Sequence, residues 1–403
     1  MMDKSTSQLE PIKLGVLGLG RAFTLMLPTF EGDKRVRLVA AFDPRQSARD
    51  AFASQFGTSY LSATSVCEDV NVDWVYIATP HQFHAEHVAL AAQNGKHVMV
   101  EKPMALTLAD CTAMIEACKR AKVHLIVGPS HSFDAPVLLA KQIIDGGSLG
   151  KVRMLHALNY TDFLYRPRRP EELDTAQGGG VVFSQGAHQV DILRLLAGGK
   201  CTSVRASTGQ WHANRPTEGA YSALLQFGDV FASATYNGYG YYDSDALMEW
   251  VGEMGQAKSH ETHAITHRKH SMTTNEAAEA HAKAERNFGG NDYDPAAANP
   301  AAIAHQHFGF VLISCDYGDI RLTAKGLEIH DKNGQRTVDA LPSATPRKTV
   351  IDELWQTAQD KTPPLHSGAW SRATLEVCLG ILESANTFTN NRQDIVMHQQ
   401  VES

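Results

Sequence analysis

The chain has 403 residues, more than a single hydrophobic core usually spans, so two domains are expected. With a net charge of −7, 43% hydrophobic and 20% charged residues, the composition is typical of a globular protein and excludes the basic surface of a nucleic-acid-binding protein. No apolar run is long enough to span a membrane, the N-terminus lacks a signal-peptide core, and the six cysteines form no C-x-x-C pair, so we expect a cytoplasmic protein with reduced thiols.

The N-terminal third alternates short apolar runs with segments of helical periodicity, such as 84–93 and 108–120. Short buried strands that alternate with helices are typical of a parallel, doubly wound sheet. We therefore predict an α/β Rossmann domain with a parallel sheet over residues 1–130. Its predicted strands are 12–17, 36–42, 74–78, 97–100 and 124–127.

A glycine-rich turn follows the first predicted strand. Two glycines there allow a tight turn whose backbone amides can approach a pyrophosphate at a helix N-terminus. Phe23 stands at the third glycine position of the usual fingerprint, which weakens the match, and an ordinary turn is the alternative. The residues that we predict to contact a dinucleotide here are Gly18, Leu19, Gly20, Arg21 and Ala22.

An acidic residue, Asp43, ends the second predicted strand, where a carboxylate can bind the adenosine ribose. A carboxylate repels a 2′-phosphate, so this position favours NAD, with NADP as the alternative. Arg45 could stack on adenine, or it could pair with the phosphate of NADP. Asp43 could also be a simple turn residue, because Asp-Pro starts many turns.

The pattern changes after about residue 130, where longer alternating segments follow one another with few helices between them. We predict residues 131–403 as an α+β domain with a large, mainly antiparallel open sheet. The polar segment 255–305 is predicted to be an insertion, partly helical and partly loop. The predicted strands are 152–160, 202–211, 221–227, 230–236, 247–251, 309–315 and 319–322, with a hairpin turn at 331–334.

Four histidines of the insertion are spaced three, four and three residues apart, which would place them on one face of a helix. Such a face can bind zinc, but no metallohydrolase motif accompanies it. We therefore expect a solvated face and no metal site at His260, His263, His267 and His270.

Three arginines, Arg166, Arg168 and Arg169, lie in a proline-rich loop. They could be solvated, or they could bind a carboxylate, because a guanidinium pairs with it through two hydrogen bonds. At most two of them are expected to point inward, and we take Arg166 and Arg168 as candidate substrate contacts.

Two motifs carry a family resemblance: Glu101-Lys102-Pro103 after a predicted strand, and the glycine-rich segment 178–191. With Ala78-Thr79-Pro80 and His84, they resemble the Gfo/Idh/MocA family of oxidoreductases over nearly the whole chain except the insertion. The resemblance implies a second domain whose open sheet often supports dimers or tetramers, so a homodimer or homotetramer is expected. The further cofactor contacts that it implies are Thr79, Pro80, His81, His84, Glu101 and Lys102.

The resemblance also implies roles for two residues: Lys102 beside the nicotinamide and the reacting carbon, and His188 in proton transfer. The family often has an aspartate four residues before that histidine, where this chain has Ser184, a candidate substrate contact that cannot act as a base. The candidate proton donors and acceptors are therefore His188, whose ordinary pKa suits neutral pH, and Lys102. Lys102 could donate a hydrogen bond or, with a pKa lowered by burial, act as the base.

A closer resemblance comes from residues 166–191, the insertion and 307–309, which look like the branch that includes phthalate 4,5-cis-dihydrodiol dehydrogenases. It implies NAD-dependent oxidation of a cis-dihydrodiol of phthalate to 4,5-dihydroxyphthalate, driven by aromatisation. A sugar or polyol dehydrogenase is an alternative, although a neutral sugar does not need the arginine cluster. A non-catalytic NAD-binding regulator is another; Ser184 favours it slightly, while Lys102 and His188 argue against it.

Overall fold

A computed structural model describes residues 10–272, 275–298, 301–340, 345–386 and 395–396. Its first sheet has six strands in the order β3-β2-β1-β4-β5-β6, and all its pairs are parallel. This is the strand order of a Rossmann domain, and it confirms the predicted parallel sheet. The strands are β1 (Ile12–Leu17), β2 (Val36–Phe42), β3 (Thr58–Tyr60), β4 (Trp74–Ile77), β5 (His97–Val100) and β6 (Leu125–Val127).

Helices connect these strands and cover the sheet, so its central strands are buried on both faces. The helix after β1 begins immediately behind the glycine turn, which places its N-terminus at the carboxyl edge of the sheet. Ligands of such sheets bind at this edge. The helices are α1 (Arg21–Gly32), α2 (Gln46–Gln55), α3 (Ala63–Glu68), α4 (His84–Gln93) and α5 (Leu108–Ala121).

The second sheet has nine strands in the order β14-β13-β12-β11-β7-β10-β9-β8-β15. Only the β7–β10 pair is parallel among its described pairs, so the predicted, mainly antiparallel sheet is confirmed. The strands are β7 (Val152–Tyr160), β8 (Ser203–Gly209), β9 (Ala220–Phe227), β10 (Val230–Asn237), β11 (Phe310–Cys315), β12 (Gly318–Thr323), β13 (Gly326–Asp331), β14 (Gly334–Asp339) and β15 (Ile395–Val396).

The remaining helices pack against this sheet or belong to the insertion. A π-helical turn, Val182–Gly186, leads directly into α7 and carries part of the glycine-rich motif. Within the described residues, no helix is both long and apolar enough to cross a membrane. The helices are α6 (Ala135–Asp145), α7 (Ala187–Ala197), α8 (Thr262–Met272), α9 (Glu276–Glu285), α10 (Pro295–Ala298), α11 (Lys348–Ala358) and α12 (Gly368–Asn386).

The strand predicted at 247–251 is wrong. Residues Ser244–Met248 form a 3-10 turn, and Val251 makes only an isolated bridge to Ala257. The backbone φ angles of Glu249 and Trp250 are +57° and +59°, in the left-handed region that an extended strand excludes. Apolar composition alone therefore misled the prediction.

The insertion reaches across to the Rossmann domain. Phe288 is buried there, with its ring 5.3 Å from Phe23 and 6.3 Å from Phe56. Its backbone N–H donates a hydrogen bond of 2.9 Å to the Thr24 hydroxyl. The two domains are thus joined by apolar contacts beside the glycine turn.

The histidines of the insertion do not share one solvated face, which corrects that prediction. His260 precedes α8 and stacks on Trp250, with ring centroids 3.8 Å apart, while His263 is buried 3.1 Å from an Asp243 carboxylate oxygen. His267 stacks on Tyr241. Among the residues that the structure describes, no group of His, Cys, Asp or Glu is arranged to hold a metal ion.

Candidate active site

The glycine turn forms an open cradle at the start of α1. Gly18 has a φ of +93°, and a Cβ there would lie 2.7 Å from the carbonyl oxygen of Ala78, so only glycine fits. A Cβ at Gly20 would meet nothing within 4 Å, which leaves space in front of the helix N-terminus. Phe23 points into the core and does not block this space. The cradle therefore fits the pyrophosphate of a dinucleotide, held by residues 18–22.

Asp43 and Arg45 are bound to each other beside the cradle. One carboxylate oxygen of Asp43 accepts the Leu19 amide at 2.8 Å, and the other accepts Arg45 Nε at 3.0 Å. Arg45 also donates to the Leu19 carbonyl at 2.8 Å and to Ala284 of the insertion at 3.4 Å. The Asp43 carboxylate thus neutralises the charge of Arg45, which makes Arg45 a weaker partner for the 2′-phosphate of NADP.

His84, a predicted cofactor contact, lies with both ring nitrogens against backbone carbonyls. Its ring is fully buried; Nε2 lies 2.9 Å from the Thr79 carbonyl oxygen, and Nδ1 lies 3.1 Å from that of Pro103. Burial lowers its pKa to about 4, so the ring is neutral. Because a neutral ring donates a single hydrogen bond, His84 binds one of these carbonyls and packs against the other, between the segment after β4 and the turn that carries Lys102.

Lys102, directly after β5 and Glu101, is held against the second domain. Its ammonium donates a 2.6 Å hydrogen bond to the backbone carbonyl of Ser184, one turn before His188. Burial lowers the pKa of Lys102 to about 8, although the neighbouring Glu101 raises it. The structure thus brings together Lys102 and Ser184, which lie 82 positions apart in the sequence. The lowered pKa also gives Lys102 a neutral fraction near neutral pH.

The hydroxyl of Ser184 is used within its own turn, where it donates to the carbonyl of Gly180. Its predicted contact with a substrate therefore does not follow from the structure. Only its backbone carbonyl faces Lys102.

His188 is buried, and it is a weaker base near neutral pH than its ordinary pKa suggested. Its Nδ1 lies 3.4 Å from the hydroxyl of Ser130, and its ring meets those of His131 and Phe308 at centroid distances of 4.7 and 4.9 Å. Burial lowers its pKa well below the usual value, and the nearby charges of Lys102 and His131 lower it further. The ring can still donate or accept a hydrogen bond.

Two charged residues of this site, His131 and Glu253, were missed by the sequence reasoning. His131 lies 2.7 Å from an Asp134 carboxylate oxygen and 3.4 Å from a Glu253 oxygen. Burial by itself would lower the pKa of His131, but the two carboxylates raise it to about 9. His131 follows β6 at the carboxyl edge of the parallel sheet, which was an available signal. Glu253 belongs to no local motif.

The three arginines of the proline-rich loop make different contacts. Arg166 donates to Asp162 through Nε at 2.8 Å, and 43% of its side chain remains exposed. Arg168 is buried, stacks 3.5 Å over the ring of Phe163 and donates to that residue's carbonyl at 2.7 Å. These contacts support the loop, and the role of Arg168 as a substrate contact stays a prediction. Arg169 pairs with Glu171 at 3.0 Å.

Comparisons with known proteins agree with this geometry. The family model for the GFO/IDH/MocA NAD-binding Rossmann domain matches residues 12–129, and that for the family's C-terminal domain matches 137–258. A 1-carboxy-3-chloro-3,4-dihydroxycyclohexa-1,5-diene dehydrogenase of Comamonas testosteroni is 45% identical over 92% of this chain and 94% of its own.

Two further relatives extend the comparison. The scyllo-inositol 2-dehydrogenase (NAD(+)) of Bacillus subtilis is 32% identical over 56% of this chain and 63% of its own. A crystal structure from Bordetella bronchiseptica RB50, 37% identical, superimposes with a TM-score of 0.89 over 96% of this chain and all of that one. The chain is therefore an oxidoreductase that belongs to the GFO/IDH/MocA family.

Proposed function

We propose that this protein is an NAD-dependent dehydrogenase that oxidises one carbinol of a cis-dihydrodiol bearing a ring carboxylate. The observation that carries the proposal is the partly exposed side chain of Arg166, which faces the Glu253 carboxylate as Lys102 does. The name of the Comamonas relative describes a carboxylated dihydroxycyclohexadiene, which supports this substrate class. A neutral polyol, as in the name of the Bacillus relative, would give the guanidinium no anionic partner beyond those that the protein itself supplies, such as Asp162.

Lys102, His188 and Phe308 have different roles in the proposed oxidation. Neutral Lys102 accepts the proton of the reacting hydroxyl, while the Ser184 carbonyl holds its amine in place. His188 stays neutral and offers a ring nitrogen as a hydrogen-bond partner for the diol. Phe308, whose ring centroid lies 4.9 Å from that of His188 and 5.0 Å from that of His131, gives an apolar wall for a six-membered ring. NAD, when bound, supplies the hydride acceptor.

Within this substrate class, we expect the cis-dihydrodiol of phthalate to be the substrate. The proposal itself needs only one carboxylate on the ring. The experiment incubates the purified chain with NAD and a panel of carboxylated cis-dihydrodiols (of benzoate and of phthalate), a neutral cis-dihydrodiol and inositol. We expect NADH formation, followed by its absorbance, with the carboxylated diols and a catechol as product. Faster turnover of inositol than of every carboxylated diol would reject the proposal.

Cofactor choice gives a second prediction. Replacing Asp43 by alanine should weaken NADH binding by roughly ten- to hundredfold, because a hydrogen bond to a charged group contributes about 1.5–3 kcal/mol. It should also narrow the preference for NADH over NADPH, because the repelling carboxylate is gone. Fluorescence titrations with both nucleotides measure this. Asp50→Ala, on the exposed side of α2, is the matched control.

The pH profile gives a third prediction. Because Lys102 acts as a neutral amine and its pKa is lowered to about 8, kcat/KM for oxidation should rise with pH and reach half its maximum near pH 8. Well below that pH, the ammonium form cannot accept a proton and the rate should fall about tenfold per pH unit. Steady-state rates in buffers of constant ionic strength test this. A midpoint at the usual value for histidine would assign the base to an imidazole instead.

A further inference from the structure

Glu253 lies on a tightly held loop that joins the second sheet to the insertion. The Glu253 carbonyl accepts the backbone N–H of His307 at 3.2 Å, and the Gly252 N–H donates to the Gln256 carbonyl at 2.8 Å. An arginine of the neighbouring helix start, Arg347, lies 3.5 Å from the sulfur of Met254. The backbone that carries the carboxylate is thus fixed on both sides.

The Glu253 carboxylate faces the imidazole that contacts His188. Its Oε1 lies 3.4 Å from His131 Nε2, while Asp134 holds the other ring nitrogen of His131 at 2.7 Å. The rings of His131 and His188 meet edge to face with centroids 4.7 Å apart. Glu253 therefore contacts His131, and His131 contacts His188. Of the Glu253 side chain, 36% is exposed.

Charged groups from several elements surround this carboxylate. The other carboxylates nearby are engaged: Glu101 accepts the Tyr76 hydroxyl, Asp134 is bound to His131, and Asp162 to Arg166. Facing Glu253 are His131 after β6, Lys102 after β5, Arg166 after β7, Arg21 at the start of α1 and Tyr236 of β10. Facing Lys102 are Glu101, Glu253, His81, His188, Arg347 and Cys378.

We propose that Glu253 is a positioning residue for the oxidation, which sets the charge of Lys102 and His131 and thereby the pH range in which the proton can be removed. The inferred effect of Glu253 on the rate of oxidation rests on the proposed function. A negative charge at this place stabilises both the ammonium and the imidazolium. Ser184 brings no carboxylate to the site, and Glu101, which has the larger effect on Lys102, is bound by the Tyr76 hydroxyl. Glu253 is the second carboxylate that acts on the Lys102 ammonium.

The effect of removing this charge has a definite sign. In Glu253→Gln, the ammonium and the imidazolium lose a stabilising partner, so both groups should release their protons at lower pH. An opposite charge within a few ångströms shifts such a midpoint by about one pH unit or more. The rate profile of the variant should therefore move towards acidic pH, in parallel with the titration of His131.

The experiment compares wild type, Glu253→Gln, Glu253→Asp and the control Glu249→Gln, whose exposed carboxylate pairs with Lys325 at the surface. Histidine-selective NMR, assigned with His131→Asn, follows the protonation of His131. Steady-state kinetics with the carboxylated diol gives the pH profile of kcat/KM. We expect both midpoints to fall by about one pH unit in Glu253→Gln, by less in Glu253→Asp and not at all in the control.

Unmoved midpoints in a folded Glu253→Gln variant would overturn the inference, and so would a lower rate at every pH with an unchanged His131 titration. A His131 midpoint that moves while the rate profile stays fixed would also overturn it. If the wild type turns over none of the carboxylated diols, the proposed function fails, and the NMR titration alone still decides whether Glu253 controls the charge of His131.

Discussion

Replacing Lys102 with alanine is expected to lower kcat/KM for a carboxylated cis-dihydrodiol by about 10²–10⁴-fold, the usual contribution of a positioned general base. The buried amine is bound to the Ser184 carbonyl, and its pKa is lowered to about 8. His188 cannot take over, because burial and neighbouring cations hold its pKa far below neutral pH. The measurement is the initial rate of NADH formation over a range of diol concentrations.

A lysine-to-arginine variant separates the base from a simple positive charge. Arginine keeps the charge but does not deprotonate in proteins, so Lys102→Arg should be about as inactive as Lys102→Ala if the amine is the base. Lys119→Ala, at an exposed position of α5, is the control for loss of a lysine. NADH binding should be unchanged in Lys119→Ala, and in the two Lys102 variants it should weaken only by the loss of the predicted contact with Lys102. If Lys102→Arg kept most of the activity, the lysine would act through its charge and not as a base.

The pattern of short apolar strands was enough to predict most of the Rossmann sheet, because β1, β4 and β5 are buried on both faces and therefore read as nearly continuous apolar runs. The three-residue strand β3 was not predicted, since Thr58–Tyr60 is exposed or half-buried. β14 was also missed, because nearly all its residues are exposed and no alternation marks it. Edge strands of this kind are formed by pairing with a neighbour and leave little trace in composition.

The motifs predicted which chain segments meet in the site, but not what each side chain does there. The segment that contains His188 also contains Asp191, which is buried and accepts the Trp370 indole N–H at 2.5 Å, so it stabilises the core. His84 likewise holds backbone carbonyls. Glu253 could not be predicted because its proximity to His131 depends on the packing of the second domain against the first. Local spacing carries no information on such a contact.

Replacing Arg166 with methionine should raise KM for a carboxylated diol by about 10- to 100-fold, with a much smaller change for a neutral cis-dihydrodiol. Asp162 holds the guanidinium on one side at 2.8 Å, and 43% of the side chain remains exposed for a second partner. A charged hydrogen bond contributes about 1.5–3 kcal/mol, which corresponds to this range. Steady-state kinetics with the two diols measures the ratio of their KM values.

The control for this variant must remove an arginine of similar exposure elsewhere. Arg153 pairs with Asp316 at 2.6 Å, and 51% of its side chain is exposed, so Arg153→Met matches the change without touching the site. Arg166→Lys should recover part of the affinity, since it keeps the charge and loses the two-pronged geometry. Because Asp162 is buried, the thermal stability of Arg166→Met must be measured alongside. Equal losses for the carboxylated and the neutral diol would show that Arg166 only supports its loop, and the substrate would then need no carboxylate.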